Sequence, residues 1–468
     1  MAILFSRIAS FLLLPLYTRF LSPARYGVID LLDLTMSLCA ILLAAPLTAP
    51  MYYLYSRPEN GPRQKEIVRT AILGTWLMGL GCTAVIGAAA ELLSQLVYQS
   101  AEYSPLIRLA GVSLGFHLTV DIGLSWLRIA DRAVHMTLWS IARTVAQIAF
   151  AAGALVLFQG ELLPLVAAGT ISSGLMAAAM IFYCARENGF RLDRDLFTVL
   201  WKRSLPGIVT AASQYFINFS SRFFLQRTAN LAVVGLYALA YKFGSSVAIL
   251  HSAIHSAWVA QVYYLDQQED RARLMDRIFL LFLTVMTALV LAISLLAKPA
   301  IRVMANTDYA DAWRLAPVLA FGFLLRAVQD FLRAILYARD QLKTDAQVNF
   351  VCALIAGASL WALVSPWGAT GAALSFVATQ LAGNTMVIRY LRRSDSCPAL
   401  KSPALIFGAG VLGAVPLYIW PSVTLAGDLA LAAAGLAVYG LVVLSAVRAV
   451  RQETWRLVQK AAARRRGK

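Results

Sequence analysis

Fourteen apolar stretches, separated by short polar segments, run the whole length of this 468-residue chain. Most of them approach the roughly 20 residues that a helix needs to cross the hydrocarbon core of a bilayer. We therefore predict fourteen membrane-spanning helices, at residues 2–17, 28–55, 70–90, 106–127, 134–157, 162–183, 205–221, 231–262, 278–296, 312–337, 346–364, 370–387, 405–420 and 425–446. The second and eighth stretches are too long for one straight crossing, so each should tilt or extend beyond the membrane.

Lysine and arginine collect in every second gap between the apolar stretches. With the N-terminus placed in the cytoplasm, the cytoplasmic gaps and the C-terminal tail hold 28 of these residues and the outer gaps hold six. Short cytoplasmic loops of membrane proteins carry such an excess of positive charge. The bias predicts an all-α, multi-pass membrane protein with both termini in the cytoplasm.

The composition agrees with this prediction. The chain is 60% hydrophobic and only 14% charged, whereas soluble domains carry about 25% charged residues. The net charge of +17 lies largely in short loops and in a basic tail at residues 448–468, which we expect to lie on the inner leaflet. No extramembrane segment is long enough to read nucleic acid, so we expect no nucleic-acid partner.

Two weak echoes suggest an internal repeat. Arg19 and Gly27 are eight residues apart, as are Arg227 and Gly235, and the second pair follows the first by 208 residues. Another echo has an offset of 205 residues. Either the echoes are chance similarities or the chain contains two copies of one six-helix unit.

A repeat of six spans keeps both copies in the same orientation, which is how transporters with a central cavity between two lobes are built. We therefore predict an N-terminal lobe at residues 1–203 and a C-terminal lobe at 204–400. A helix pair at 401–447 and the cytoplasmic tail at 448–468 complete the chain.

Signatures of enzymes and metal sites are absent from the sequence. It has no Walker A motif, no glycine-rich dinucleotide fingerprint and no His-Glu-x-x-His. His251 and His255 have i, i+4 spacing, but no thiolate or carboxylate accompanies them, so we expect no metal site. The largest outer gaps, near residues 91–105 and 297–311, are too short for the extracytoplasmic loop that a membrane polymerase usually needs. We therefore expect a transporter rather than an enzyme.

Seven cations lie inside the predicted spans, where an Arg or Lys costs about 2.5–3.5 kcal/mol at mid-bilayer. They are Arg7, Arg108, Arg143, Lys242, Arg314, Arg326 and Arg333. Arg108, Arg314 and Arg333 lie near span ends, from which their side chains can reach the interface. The other four lie deeper, and we predict that Lys242, Arg326, Arg7 and Arg143 line a cavity that binds a phosphate or pyrophosphate. The alternatives are local ion pairs, such as Arg326 with Asp330.

Three acids also lie within spans: Asp30, Asp33 and Asp121. Asp30 and Asp33 share a helix face near the outer end of the second span. Either they pair with Arg19 or Arg25 as structural groups, or one of the three acids carries a coupling ion, H⁺ or Na⁺. No other cofactor is expected.

Residues 14–27 read Leu-Pro-Leu-Tyr-Thr-Arg-Phe-Leu-Ser-Pro-Ala-Arg-Tyr-Gly, and residues 234–242 read Val-Gly-Leu-Tyr-Ala-Leu-Ala-Tyr-Lys. These runs resemble bacterial polysaccharide-biosynthesis flippases, the O-antigen and exopolysaccharide branch of the multidrug/oligosaccharidyl-lipid/polysaccharide exporter superfamily. Two positions depart from the family pattern. Ser22 stands where Gly is frequent, and Ser221 stands where an Asp often precedes the Arg.

The resemblance implies a flippase of the bacterial inner membrane that moves an undecaprenyl-pyrophosphate-linked oligosaccharide to the outer leaflet by alternating access, driven by an ion gradient. It implies a polysaccharide polymerase and chain-length proteins as partners in O-antigen, lipopolysaccharide or exopolysaccharide synthesis. A multidrug or cation antiporter and a peptidoglycan-precursor flippase of the same superfamily are the alternatives, and a membrane polymerase is the less favoured one.

Overall fold

The computed structural model describes residues 13–44, 47–265, 271–339, 341–393, 406–410, 412–414 and 424–446. These residues form helices joined by short turns, without a strand among them, so the predicted all-α fold is confirmed. Nine of the described helices are long and apolar enough to cross a membrane, or ten if one bent pair forms a single span. The count of fourteen spans stays a prediction, because most of the first and half of the thirteenth lie outside the described residues.

The chain divides by packing into two compact units, Met1–Gly235 and Leu236–Lys468. The first contains α1 (Leu14–Phe20), α2 (Pro23–Leu43), α3 (Thr48–Tyr55), a 3-10 helix (Pro58–Arg63), α4 (Gln64–Ala88), α5 (Ala90–Tyr98), α6 (Ser104–Ile129), α7 (Ala133–Leu157), α8 (Leu162–Asn188) and α9 (Arg194–Thr228). The predicted lobe boundary at 203/204 stays a prediction about the repeat, whereas packing groups α9 with the first unit.

The second unit begins within α10 (Leu231–Ser245). It continues with α11 (Val247–Leu265), α12 (Arg271–Met304), a 3-10 helix (Thr307–Arg314), α13 (Ala316–Ala338), α14 (Leu342–Arg393) and α15 (Leu425–Ala446). The predicted eleventh and twelfth spans both lie in α14, which is broken at Gly368, where φ is 52°. A positive φ interrupts the helix, and glycine adopts it without steric cost.

The two overlong apolar stretches differ in how their helices are interrupted. The second stretch forms α2 and α3, and the chain carries Pro46 between them. Proline lacks the backbone N–H of a helix interior, which favours a break there. The eighth stretch, residues 231–262, forms one candidate span that is interrupted only at Ser246, between α10 and α11.

Local capping explains where α2 and α9 start. Ser22 accepts a hydrogen bond from the backbone N–H of Arg25, and Pro23 occupies the first turn of α2. Asp193 accepts from the backbone N–H groups of Asp195 and Leu196 at the start of α9. Both arrangements satisfy donors that a helix N-terminus leaves unpaired. The cap at Asp193 lets α9 begin eleven residues before the predicted seventh span.

Helix α13 forms the centre of the second unit and packs against α11, α12 and α14. Trp258 of α11 stacks on Phe331 of α13 with ring centroids 4.1 Å apart, and its Nε1 donates to the Phe331 carbonyl at 3.0 Å. Asp428 of α15, which is 2% exposed, bridges Lys298 at 3.2 Å and Arg302 at 2.9 Å on α12. Lys298 and Arg302, which the predicted spans place in an outer gap, therefore join α12 to α15.

The glycines of the first sequence echo contact each other. A Cβ added to Gly27 would lie 2.2 Å from the Leu231 carbonyl oxygen, and one added to Gly235 would lie 1.9 Å from the Pro23 carbonyl oxygen. Pro23 and Leu231 are also 208 residues apart, so the first turns of α2 and α10 meet at equivalent positions. The repeat of six spans stays a prediction.

Gly27→Ala and Gly235→Ala should each lower the apparent melting temperature of the purified protein in detergent. The added methyl group meets a backbone carbonyl that cannot rotate away, and overpacking of this kind costs about 1–3 kcal/mol. Gly81→Ala is the matched control, because nothing lies within 4 Å of a Cβ at that helical position. Equal melting temperatures for Gly27→Ala and Gly81→Ala would mean that the two helices do not meet at these glycines.

Candidate functional site: charged groups within the spans

Lys242 is the exposed cation of an otherwise buried helix segment. Tyr241 and Phe243 on either side of it are buried, as is Tyr237 one turn earlier, whereas Lys242 is exposed. It lies eleven residues into α10, which corresponds to a depth of about 16 Å along the helix. Within the described part of the chain, no carboxylate lies within ion-pair distance of its ammonium group. The local ion pair considered from the sequence is therefore not found among these residues.

Arg326 has the intrahelical neighbour that its sequence spacing indicates. Its Nε lies 3.9 Å from Asp330 Oδ2, and the side chain is 32% exposed. Asp330 is shared, because His251 Nε2 and Arg333 Nη1 also lie 3.9 Å from its carboxylate.

The expectation that the Arg333 side chain reaches the membrane interface is wrong. Arg333 was assigned to the interface by its position near a span end, but its side chain is only 12% exposed and pairs with Asp345 of α14. Arg333 Nη2 lies 2.7 Å from Asp345 Oδ2, and Tyr337 and Asn349 donate to the same oxygen at 3.0 and 3.2 Å. The carboxylate replaces water as the partner of the guanidinium, so Arg333 joins α13 to α14.

Arg143 and Asp121, predicted separately, lie together in the first unit. Arg143 of α7 donates through Nη1 to Asp121 of α6 and lies through Nη2 2.8 Å from His117 Nδ1. His117 and Asp121 are one helical turn apart on α6. His117 is not among the site residues predicted from the sequence, although its i, i+4 spacing to Asp121 was the available signal.

Asp30 pairs with neither Arg19 nor Arg25, so that part of the predicted pairing is wrong. Its Oδ2 lies 2.7 Å from Nε of Arg222, whose side chain is 3% exposed. Arg25 instead donates to the Gly160 carbonyl at 3.1 Å. Arg222 was assigned to an outer loop because the apolar stretch ends at residue 221, but α9 continues to Thr228 and carries it into a buried position.

The remaining predicted positions are less informative. Asp33 is exposed on α2. Arg7 and the basic tail lie outside the described residues. His251 and His255 lie with ring centroids 5.3 Å apart, and no group of three potential metal ligands occurs in the ranges that the structure describes.

Comparison with known proteins adds a family and a fold. Residues 1–259 match the family model described as polysaccharide biosynthesis protein. No curated protein is significantly similar to the chain in sequence.

Several solved structures share the fold. Lipid II flippase MurJ, in an inward closed conformation, superposes with a TM-score of 0.78 at 14% identity, over 96% of this chain and 98% of that one. An inward-facing multidrug resistance MATE family transporter of the MOP superfamily gives 0.68 at 13% identity, over 83% and 94%. A MOP superfamily transporter from Pyrococcus furiosus gives 0.56 at 13% identity, over 84% and 93%. At these identities the likeness shows the fold alone.

Proposed function

Because the chain belongs to the polysaccharide biosynthesis protein family, whose model matches more than half of it, we propose that it flips an undecaprenyl-pyrophosphate-linked oligosaccharide. The chain is a multi-pass membrane protein with the fold of MOP-superfamily transporters. The proposed movement runs from the inner to the outer leaflet of the bacterial inner membrane by alternating access. Its product serves O-antigen, lipopolysaccharide or exopolysaccharide synthesis.

The observation that carries this proposal is the exposed position of Lys242 within an apolar helix. A charged group at this depth in a bilayer is costly unless it faces water, a partner or a ligand. Lys242 is exposed beside buried neighbours and has no ion-pair partner among the described residues. An anionic headgroup that passes through the membrane is a suitable ligand, and pyrophosphate is the anionic part of the proposed substrate. Arg326, Arg143 and Arg7 are proposed as further cations on its path.

A peptidoglycan-precursor flippase is the second candidate, since lipid II flippase MurJ shares the fold over nearly the whole chain. A cation or drug antiporter is disfavoured because at least two of its three candidate acids are occupied. Asp30 pairs with Arg222 and Asp121 pairs with Arg143. An acid neutralised by a neighbouring arginine attracts a cationic cargo weakly.

Topology and coupling belong to the same proposal. Both termini lie in the cytoplasm, as the distribution of positive charge predicts. The coupling ion is H⁺ or Na⁺, and a polysaccharide polymerase with chain-length proteins takes up the flipped unit on the outer side.

Deleting the gene from its bacterium should trap the lipid-linked repeat unit in the inner leaflet and remove the polysaccharide from the surface. Accessibility of the sugar to a membrane-impermeant lectin, in intact spheroplasts and in inverted vesicles, measures the leaflet. Deletion of the polymerase is the control, because that strain should accumulate the unit on the outer side. Outer-leaflet accumulation in the gene deletion would contradict flipping, and trapped lipid II would favour the peptidoglycan alternative.

A further inference from the structure

Three side chains in the first unit form a cluster of which the proposed function uses only Arg143. Arg143 bridges the Asp121 carboxylate and the His117 imidazole, with Nη2 2.8 Å from His117 Nδ1. All three residues lie within predicted spans, on α6 and α7. An arginine held by two partners is occupied, whereas a cavity cation must be able to leave its partners when the anionic ligand arrives.

The contact defines the proton arrangement of His117. A guanidinium donates hydrogen bonds and cannot accept them, so Nδ1 must present its lone pair to Arg143. His117 is therefore neutral in this contact, with its proton on Nε2. Protonation would place a hydrogen on Nδ1 as well, and two cations would then face each other without an acceptor between them. The His117–Arg143 hydrogen bond and the protonated imidazole exclude each other.

The surroundings give the protonated imidazole one counter-ion. The helices α2, α3, α4, α5, α7 and α8 pack against α6, and among the described residues the charged side chains in the cluster with His117 are Arg143 and Asp121. The Asp121 side chain is 60% exposed and that of Arg143 is 21% exposed. A carboxylate so exposed at this depth requires a hydrated environment. Asp121 can therefore pair with protonated His117, one turn away, while Arg143 moves toward water.

We propose that His117, Arg143 and Asp121 form a proton-gated anion site, in which protonation of His117 releases Arg143 to bind a phosphate oxyanion. The proposal rests on the proposed function for the identity of that oxyanion, the pyrophosphate of a lipid-linked sugar. A proton that favours anion binding is favoured by the bound anion to the same extent, because linkage is reciprocal. The cluster thereby couples a proton to the substrate headgroup.

Binding of inorganic pyrophosphate to the purified full-length protein in detergent, measured by calorimetry between pH 8 and pH 5.5, tests the gate. His117→Gln is the key variant, because its side-chain oxygen can still accept from Arg143 but does not titrate. The ratio of wild-type to His117→Gln affinity cancels the titration of pyrophosphate itself. It should rise about tenfold as the pH falls, within the usual range of coupling between sites. His135→Gln, at the start of α7 and outside the cluster, should follow the wild type.

A ratio that does not change with pH would overturn the gate. Sulfate provides a second test that needs no variant, because its charge is constant over this range. Its binding to the wild type at pH 5.5, measured in buffers of different ionisation enthalpy, should be accompanied by proton uptake, and binding without uptake would overturn the proposal.

Flipping in cells separates this proposal from the proposed function. If His117→Gln supports flipping with the pH dependence of the wild type, the gate is refuted and the flippase stands. If the gate titrates as described but the gene deletion traps no lipid-linked sugar, the gate stands and the proposed substrate is refuted.

Discussion

Replacing Lys242 with alanine should abolish surface polysaccharide while the protein remains in the membrane at its normal level. Lys242 is exposed, so its removal opens no cavity in the core. A surface substitution of this kind usually changes stability by no more than about 0.5 kcal/mol. The loss of polysaccharide should therefore come from weaker substrate binding and not from unfolding. A charge-assisted hydrogen bond to a phosphate is about twice as strong as a neutral one, and alanine removes it entirely.

The measurement combines polysaccharide staining with quantitative detection of the protein in membranes. Lys242→Arg should retain part of the activity, because the charge remains while the geometry of the donor changes. Lys202→Ala is the matched control, since Lys202 is an exposed lysine in the first third of α9 and should behave as the wild type. Normal polysaccharide in Lys242→Ala would remove this residue from the binding site.

Replacing Arg222 with methionine should strongly destabilise the first unit. Asp30 and Arg222 are both largely buried, with side chains 13% and 3% exposed. Removing one member of a buried ion pair leaves the other charge uncompensated and costs about 3–5 kcal/mol. We expect a large fall in the apparent melting temperature in detergent, or loss of the folded protein from membranes.

Two comparisons identify the cause of that loss. The double variant Asp30→Asn with Arg222→Met should be more stable than Arg222→Met alone, because no uncompensated charge remains. Arg108→Met breaks the exposed pair with Glu91, whose side chains are 56% and 70% exposed, and should cost about 0–1 kcal/mol. If Arg222→Met is as stable as Arg108→Met, the ion pair does not hold α2 to α9.

Apolar length predicts the middle of the first unit well. The predicted fourth span, residues 106–127, lies within α6, and the predicted fifth, 134–157, differs by one residue from α7. The predicted seventh span, residues 205–221, lies within the longer helix α9, because a helix can continue through charged residues when it is capped or packed. Asp193 caps the start of α9, and Asp30 compensates Arg222 near its end.

The charge partners were harder to predict than the helices. Arg326 and Asp330 are one turn apart on one helix, so their pairing follows from sequence spacing. Asp30 and Arg222 are 192 positions apart, and only packing of α2 against α9 brings them together. Lys242 could be chosen as a candidate without knowing its partners, since its depth in an apolar stretch was the signal.

Leaflet-resolved transport by purified protein in liposomes tests the central proposal most directly. Undecaprenyl-pyrophosphate-linked oligosaccharide and lipid II, placed in separate vesicle preparations, are assayed by the rate at which their sugars become accessible to an impermeant probe. We predict faster flipping of the linked oligosaccharide than in protein-free vesicles, and no such acceleration with Lys242→Ala. Acceleration of lipid II alone, or equal rates with and without protein in folded samples, would contradict the proposed function.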